Sequence, residues 1–583
     1  MQRGDLIDVA LDRAKADLII KDGMLVNVNT REIHEANIAI KDGRIAYVGP
    51  LSNAIGSKTR VIDAKGRYVV PGLLDGHVHI ESSMLTVTEF ARVVLPHGTS
   101  TVMADFHEIG SILGLKGIKA LIDESKRTPL KVYTLVRYLP SDPTQETLAT
   151  SIPVEELHRF LELKNVLGIS EITLKPILDR NNTYLNLIDY ALRKGKAIDG
   201  SLSGCFGRKL NAAISSGVLS DHETVKSVEL IEKLRLGLTV MLREGSTAKN
   251  VSDLASTMVD KKICTSNCCL CTDDVHASDL VRKGHMDYVI RRTIKEGIDP
   301  LSAIQMATIN TAKYFGLDHE IGTISPGRVA DILLVEDLEK FVIDTVLING
   351  NVVAEKGRLL KRTPPFKFPV FARKTFKTKM IETEDLTIRT KRDLEHVKVN
   401  VIEAFGDQLP TNSMVKELRV EKGVLNPDLY NDVLKLIVVE RHRGTGNIGL
   451  GFVHGFNLER GALASSVSHD AHNIIAVGTD DATLAFAANT ITKMTGGLAA
   501  VRESEILASL SLPIAGLISD MPARKVVKMV DDLNEAAKDL GCKMDSPFMT
   551  LSFLALPRIP KFRLTDKGLW DASAMRFVDL FVR

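Results

Sequence analysis

Six cysteines in 583 residues are too few for a disulfide scaffold, and a reducing cytoplasm is the compartment they fit. The chain has no apolar run of the roughly eighteen residues that a membrane-spanning helix needs, so none is expected. Its first residues, Met1-Gln-Arg-Gly-Asp-Leu-Ile-Asp8, lack the charged-then-apolar layout of a signal peptide. Charge of one sign is missing too. Lys and Arg number 75 against 73 Asp and Glu, a net charge of +2 that gives no reason to expect nucleic acid or an anionic membrane as partner. There is no solenoid-length repeat and no low-complexity tract, and the lone Trp570 reads as a packing residue.

What is present is a chain of ordinary apolar content, 44%, long enough for several domains or one large barrel with additions. Residues 1–16 read as a short amphipathic helix. Short strands follow, such as Asp17-Leu-Ile-Ile-Lys-Asp-Gly23 and Ala36-Asn-Ile-Ala-Ile-Lys-Asp-Gly43, whose Lys-Asp-Gly triplets are hairpin-type turn signals. The same texture returns at Ala330–Val335 and Val346–Gly357. One small β-domain assembled from both flanks, 1–66 and 323–365 (the latter including a linker), is therefore expected.

Between the flanks, over 67–322, strands and helices alternate. Candidate strands are 68–79, 100–107, 130–139, 167–173, 196–201, 217–222, 237–243 and 263–273, with Tyr68–Leu74 read as one buried apolar run. Eight strands, each followed by a helical stretch, is the count of an α/β fold of the (β/α)₈ TIM-barrel type. The basic, proline-containing stretch 361–370 reads as a linker. An additional C-terminal α/β (α+β) domain occupies 380–583, with candidate strands 433–440, 447–453 and 473–477 and helices 482–494 and 524–540.

The barrel reading has a chemical consequence, because such barrels gather their sites at the C-terminal ends of the strands. Strand one ends in His77-Val-His79-Ile-Glu81. Residues i and i+2 of a strand point the same way, so both imidazoles can reach one ion. A lone His-x-His is weak, since a buried histidine with a satisfied hydrogen bond is commoner. The other strands, however, end in Asp105-Phe-His107-Glu108, Glu171, Asp199-Gly-Ser201, Asp221-His222-Glu223, Arg243-Glu244 and Asp273-Asp274. Ionisable groups closing nearly every strand are costly unless paired or metal-bound. His77, His79, His222 and Asp273 supply donors for a divalent transition metal, and Glu171 could bridge to a second. A bound metal brings its water toward neutral pKa and yields a hydroxide nucleophile, with a nearby carboxylate to shuttle the proton. That is equipment for hydrolysis at an electrophilic carbon.

With these residues in place, the sequence resembles the amidohydrolase superfamily and, more narrowly and over almost its full length, bacterial and archaeal adenine deaminases. The resemblance rests on Pro71-Gly-Leu-Leu-Asp-Gly-His-Val-His-Ile-Glu-Ser-Ser-Met84, Ser220-Asp-His-Glu223, Arg243-Glu-Gly-Ser246, Cys271-Thr-Asp-Asp274 and Ser325-Pro-Gly-Arg-Val-Ala-Asp331. In the C-terminal domain it rests on Ser468-His-Asp-Ala-His-Asn473, Leu512-Pro-Ile-Ala-Gly-Leu517 and Leu564-Thr-Asp-Lys-Gly-Leu569. It implies a purine-salvage hydrolase converting adenine to hypoxanthine and ammonia by attack of metal-bound hydroxide at C6, with one or two ions of Mn²⁺ or Fe²⁺, Zn²⁺ being an alternative. His77, His79 and Asp273 would hold one metal, Glu171 would bridge, and His222 would hold the second. Asp273, Glu108 and Glu244 become candidates for proton transfer; Asp274, His276 and His107 become candidates for substrate binding. The partner implied is a small purine base, and the resemblance suggests a cytoplasmic homo-oligomer.

Two places depart from the family pattern. At strand five the family shows close to Asp-Gly-His-Ala-Pro-Gly, and this chain has Asp199-Gly-Ser-Leu-Ser-Gly204, so Ser201 stands where a metal-binding histidine is expected. At strand three the chain has Tyr138-Leu-Pro-Ser-Asp-Pro-Thr-Gln-Glu-Thr-Leu-Ala149, a stretch in reach of substrate. Two alternatives follow: a hydrolase of another aminopurine or cyclic amidine or amide, and a non-catalytic member with a degraded second metal site. A zinc cytidine-type deaminase is excluded because Asn267 precedes Cys268 where Pro is expected. Cys264, Cys268, Cys269 and Cys271 read as packing residues, with a structural zinc site as the alternative. His469 and His472 resemble a metal pair, with a structural or site-lining role as the alternative.

Overall fold

The computed structural model describes residues 3–50, 54–138, 142–246, 248–361, 363–390, 394–406 and 410–582. Two sheets of nine strands, one of ten and one of three carry the fold of these residues. No helix among them is long and apolar enough to cross a membrane.

The central sheet is a (β/α)₈ barrel. Its strands run parallel and pair in chain order: Leu73–His79, Thr99–Asp105, Lys131–Val136, Val166–Thr173, Ala197–Ser201, Ser220–Asp221, Thr239–Arg243 and Cys268–Cys271. The dipeptide Asp273–Asp274 then pairs in parallel with Val78 and His79 and closes the ring. Leu73–His79 and Thr99–Asp105 are buried at every position. Helices cover one side of a parallel barrel and side chains fill the other, so no face is left for water. The eighth strand shows both faces. Cys268 and Leu270 pack outward into the main core, and Cys269 and Cys271 pack inward with Leu74, Met103 and Met241. These side chains point to opposite faces of the strand, burial pushes the Cys269 thiol up to about 12, and no cysteine group able to hold a metal comes together among the described residues. Packing is thus the role of the three buried cysteines of this group, and all six cysteines of the chain are free.

The apolar run Tyr68–Leu74 is two strands in two sheets. Tyr68–Pro71 pairs antiparallel with Ile332–Val335 in the flanking sheet, whereas Leu73 opens the barrel beside Thr99. The break falls at Gly72, where a Cβ would lie 2.6 Å from Ser100 Oγ. Periodicity alone cannot see such a break, because both strands are equally apolar.

The flanking sheet draws on both ends of the barrel, in the order Arg358–Leu359, Asn351–Glu355, Val342–Ile348, Ile332–Asp337, Tyr68–Pro71, Leu18–Asn27, Glu32–Lys41, Arg44–Gly49. The two Lys-Asp-Gly triplets behave differently. Lys41-Asp42-Gly43 turns a hairpin in which Lys41 pairs with Arg44. Lys21-Asp22-Gly23 is a bulge inside one continuous strand, Leu18–Asn27, and turns nothing. The opening helix is shorter than expected, Arg3–Ala10, with Leu6 and Val9 buried; Met1 and Gln2 lie outside the described residues.

The C-terminal domain is built on the ten-stranded sheet, mostly antiparallel, with helices Asp481–Lys493 and Ala523–Asp539. It sits over the end of the barrel where the strands terminate. Ser519 N donates to Met84 O at 2.9 Å, Ala523 N to Glu89 at 3.2 Å, and Thr147 N to Asp566 Oδ1 at 2.8 Å. The barrel mouth is therefore roofed by a second domain.

Candidate active site

The first strand delivers His77 and His79 to the barrel mouth, their Nε2 atoms 3.2 Å apart. Glu171, ending strand four, places Oε1 3.7 Å from each of these nitrogens and 3.2 Å from His222 Nε2. Asp273 Oδ1 lies 3.1 Å from His79 Nε2 and 4.0 Å from His77 Nε2. The sequence-expected donor set, His77, His79, Glu171, His222 and Asp273, thus converges on one spot.

Two of the imidazoles are hydrogen-bonded through their other nitrogen, and that of His77 lies beside a carboxylate. His222 Nδ1 is 2.9 Å from Asp199 Oδ2 and bonded to it, and the same oxygen lies 3.0 Å from His77 Nδ1. His79 Nδ1 donates to the backbone carbonyl of Asp105 at 3.2 Å. These are the supporting contacts that hold metal-ligating histidines in the tautomer with Nε2 free. Asp75 ties strand one to strand eight, accepting from Thr272 N at 3.1 Å and Thr272 Oγ1 at 2.6 Å, and so sets Asp273 beside His79. Gly76 allows the approach, since a Cβ there would lie 3.1 Å from Leu270 O.

The backbone is strained where the carboxylates enter. Glu171 and Asp273 both sit in the left-handed region, at φ 57° and 60°. Such non-glycine conformations cost about 1–3 kcal/mol each and persist only where the surroundings impose them, as at functional sites.

The residues fit a divalent ion. His222 Nε2 is buried without a hydrogen-bond partner, and two imidazole nitrogens face each other beside two carboxylate oxygens. Nitrogen and oxygen donors in this mix suit a first-row transition metal. Burial opposes the charge on Glu171, but the Arg137 guanidinium, with His222 and His79, holds it well below the usual carboxylate range. Burial likewise opposes charge on Asp273, which Arg243 bonds through Oδ2 and keeps ionised. Ser201 ends strand five half-buried and offers only a neutral hydroxyl.

The other sequence-expected residues divide. His107 stands against His79, ring centroids 4.7 Å apart, with Nε2 3.2 Å from Glu108 Oε1. Burial works against its charge, yet Glu108 and Asp105 push its pKa up to about 10. Asp274 accepts a hydrogen bond from Ser82. His276 lines a cavity of about 100 Å³ together with Glu81, Ser82, Val467, His469 and Ser552. Glu108 is buried under the C-terminal domain, its carboxylate held by His469 and His472. Glu244 is not brought into the site: its Oε1 lies 3.4 Å from Arg292, on the helical layer outside the barrel. The neighbouring Arg243 points inward instead, since successive strand residues alternate.

Sequence reasoning assigned no role to Asp199, Asp75, Arg137 or Glu81, all at or beside barrel strands and all buried. Burial pushes Glu81 up to about 8, with Oε2 unpartnered. Asp199 could have been suspected as a carboxylate one strand away from two candidate ligands. Within the altered strand-three stretch, Thr147 is bonded to Asp566 and Asn473 of the C-terminal domain. Leu139, Pro140 and Ser141 lie outside the described residues.

Comparison with known proteins agrees with this geometry. Residues 68–353 match the family model of the amidohydrolase family, and residues 408–576 match the adenine deaminase C-terminal domain. The chain is 40% identical over 576 residues to the adenine deaminase of Methanococcoides burtonii, covering 98% of this chain and 97% of that protein. It is 42% identical over 574 residues to the adenine deaminase of Dehalococcoides mccartyi, covering 98% of each. Among solved structures, an enamidase is similar at 19% identity and a TM-score of 0.46, over 60% of this chain and 98% of that one.

Proposed function

The chain belongs to the adenine deaminase family of amidohydrolases, and from that premise we infer that it hydrolyses adenine to hypoxanthine and ammonia. The observation that carries this reading is near-full-length identity of 40% to adenine deaminases in a chain whose family ligands converge at the barrel mouth. Water adds at C6 of the purine, the C6–N bond breaks, and the exocyclic nitrogen leaves as ammonia.

His77, His79 and Asp273 would hold a divalent ion, with Glu171 and His222 beside it. When bound, the ion lowers the pKa of water toward neutrality and so supplies a nucleophile. Asp273 Oδ1 faces His79 while Oδ2 is fixed by Arg243, so Oδ1 is the carboxylate oxygen left free toward the histidines, and Asp273 would take the proton of the attacking water. Ser82, which is bonded to Asp274, lines the cavity in which the base would lie, and Val467, His469 and Ser552 of the C-terminal domain line it as well.

One tightly held ion is the reading we favour, manganese or iron by family resemblance. Two features support it. Ser201 withholds an imidazole from the second position, and Arg137 already supplies positive charge toward Glu171. The six free cysteines fit a reducing cytoplasm. The test is metal content per chain of protein loaded with Mn²⁺, together with ammonia release from adenine. A folded, metal-loaded protein that releases no ammonia from adenine overturns the reading.

A further inference from the structure

Two histidines of the C-terminal domain reach down onto one carboxylate of the barrel. Glu108 Oε1 lies 2.7 Å from His469 Nδ1, and its Oε2 is bonded to His472 Nε2. All three side chains are buried. Grouped by distance alone, they are a set able to hold a metal. The hydrogen bonds of His472 argue otherwise. Its Nδ1 accepts from the backbone N–H of Ser468 at 3.3 Å, so Nδ1 keeps its lone pair and Nε2 carries the proton given to Glu108. A metal would need the opposite tautomer, with an N–H aimed at an N–H. Both nitrogens of His472 are therefore engaged in holding Glu108.

His469 differs. Its Nδ1 is engaged by Glu108, and its ring stacks on Phe553 with centroids 4.5 Å apart and planes 16° apart. Its Nε2 has no hydrogen-bond partner among the described residues. The same side chain lines the cavity of about 100 Å³ that Glu81 and Ser82 also line. Ser82 in turn is bonded to Asp274, the neighbour of the ligand Asp273. A ring locked by a carboxylate on one side and an aromatic face on another, with one nitrogen left over, thus lines a cavity that is linked through Ser82 and Asp274 to the candidate ligand Asp273. That is the arrangement of a preorganised binding group.

We propose that His469 is a substrate-binding residue contributed by the C-terminal domain, its Nε2 hydrogen-bonding a ring nitrogen of the bound purine, with Glu108 as the positioning residue that fixes the imidazole. The barrel then holds the hydrolytic ligands, and the roof supplies a recognition contact, so the complete site forms only across the domain interface. This rests on the purine-deaminase reading above.

The test uses the full-length, metal-loaded protein. His469→Asn keeps an amide donor at the place of Nδ1, and so the contact with Glu108, while removing Nε2. His469→Gln restores an amide at the place of Nε2. Hypoxanthine is titrated by calorimetry, KM and kcat are measured on adenine, and metal content and Tm are recorded for each. His469→Asn is expected to weaken hypoxanthine binding and raise KM about tenfold or more, with metal content and Tm as in wild type and a smaller loss in His469→Gln. Wild-type hypoxanthine affinity and KM in His469→Asn overturn the inference while leaving the deaminase reading intact. Loss of a metal equivalent in His469→Asn overturns it in favour of a metal site at Glu108. A wild-type protein that neither binds hypoxanthine nor turns over adenine overturns both. If His469→Asn does not fold, Glu108→Gln, which keeps an acceptor for His469, is expected to show the same rise in KM to a lesser degree, and an unchanged KM there overturns the positioning role.

Discussion

The imidazoles of His77 and His222 are stacked, their centroids 4.0 Å apart and their planes 17° from parallel, although 145 residues separate them in the chain. One carboxylate oxygen, Asp199 Oδ2, accounts for the pairing. It stands within 3.0 Å of Nδ1 on both rings and leaves both Nε2 atoms facing Glu171.

Asp199→Asn removes the charge that aims both rings. Supporting contacts of this kind are worth about 10–100-fold in metal affinity. Titration of the apo-protein with Mn²⁺ is expected to show that loss, with a fold judged intact by circular dichroism. Unchanged affinity would mean that packing alone orients the histidines.

Ser201→His returns an imidazole to the fifth strand. The wild type is expected to hold about one tightly bound ion per chain, and Ser201→His/Arg137→Gln about two, because it gains a ligand and loses a competing positive charge beside Glu171. Elemental analysis after gel filtration reads the count directly. Two ions in the wild type would show that Ser201 or water completes the second position.

Lys233 is fully buried and anchors the turn that carries His222. Its ammonium lies 2.9 Å from Asp221 Oδ2, 3.3 Å from Glu229 and 2.9 Å from Leu202 O. Lys233→Met leaves Asp221 and Glu229 buried without their cation, which costs about 3–5 kcal/mol. Urea unfolding is the measurement, and a loss under about 1 kcal/mol would show that the carboxylates find other partners or take up protons without cost.

Glu440 organises a turn of the C-terminal domain, accepting from the backbone N–H groups of Arg443 at 2.6 Å and Thr445 at 2.8 Å, and from that of His442. Burial opposes its charge, but these donors hold its pKa below the ordinary value of 4.5. A depressed carboxylate pKa contributes stability that is present above pH 4.5 and lost as pH falls through the folded value. Glu440→Gln should therefore be less stable than wild type by about 1–3 kcal/mol near neutrality. The gap in Tm should close below pH 4.5. A gap independent of pH would contradict the ionic account.

The barrel and the donor cluster at its mouth were legible because nearly every strand stops at an ionisable group, as at Val78-His79 and Leu270–Asp273. Local pattern failed where two environments look alike. Tyr68–Leu74 is apolar on both sides of a sheet change, and Lys-Asp-Gly serves once as a turn and once as a bulge. Glu244 is the proton-transfer candidate of the two in the sequence, whereas the pleat turns its neighbour Arg243 inward onto Asp273 and Glu244 outward onto Arg292. Contacts between distant segments were out of reach: nothing local to Glu108 announces His469, and nothing local to Asp199 announces that it serves two rings.

The central claim is adenine hydrolysis at the His77, His79 and Asp273 cluster. The most direct measurement is simultaneous quantitation of hypoxanthine and ammonia from adenine with Mn²⁺-loaded wild type and Asp273→Asn. The account predicts one hypoxanthine and one ammonia per adenine consumed by the wild type, abolished by chelation and by Asp273→Asn. Adenine left intact by a folded, metal-loaded wild type, or turnover undiminished in Asp273→Asn, would contradict it.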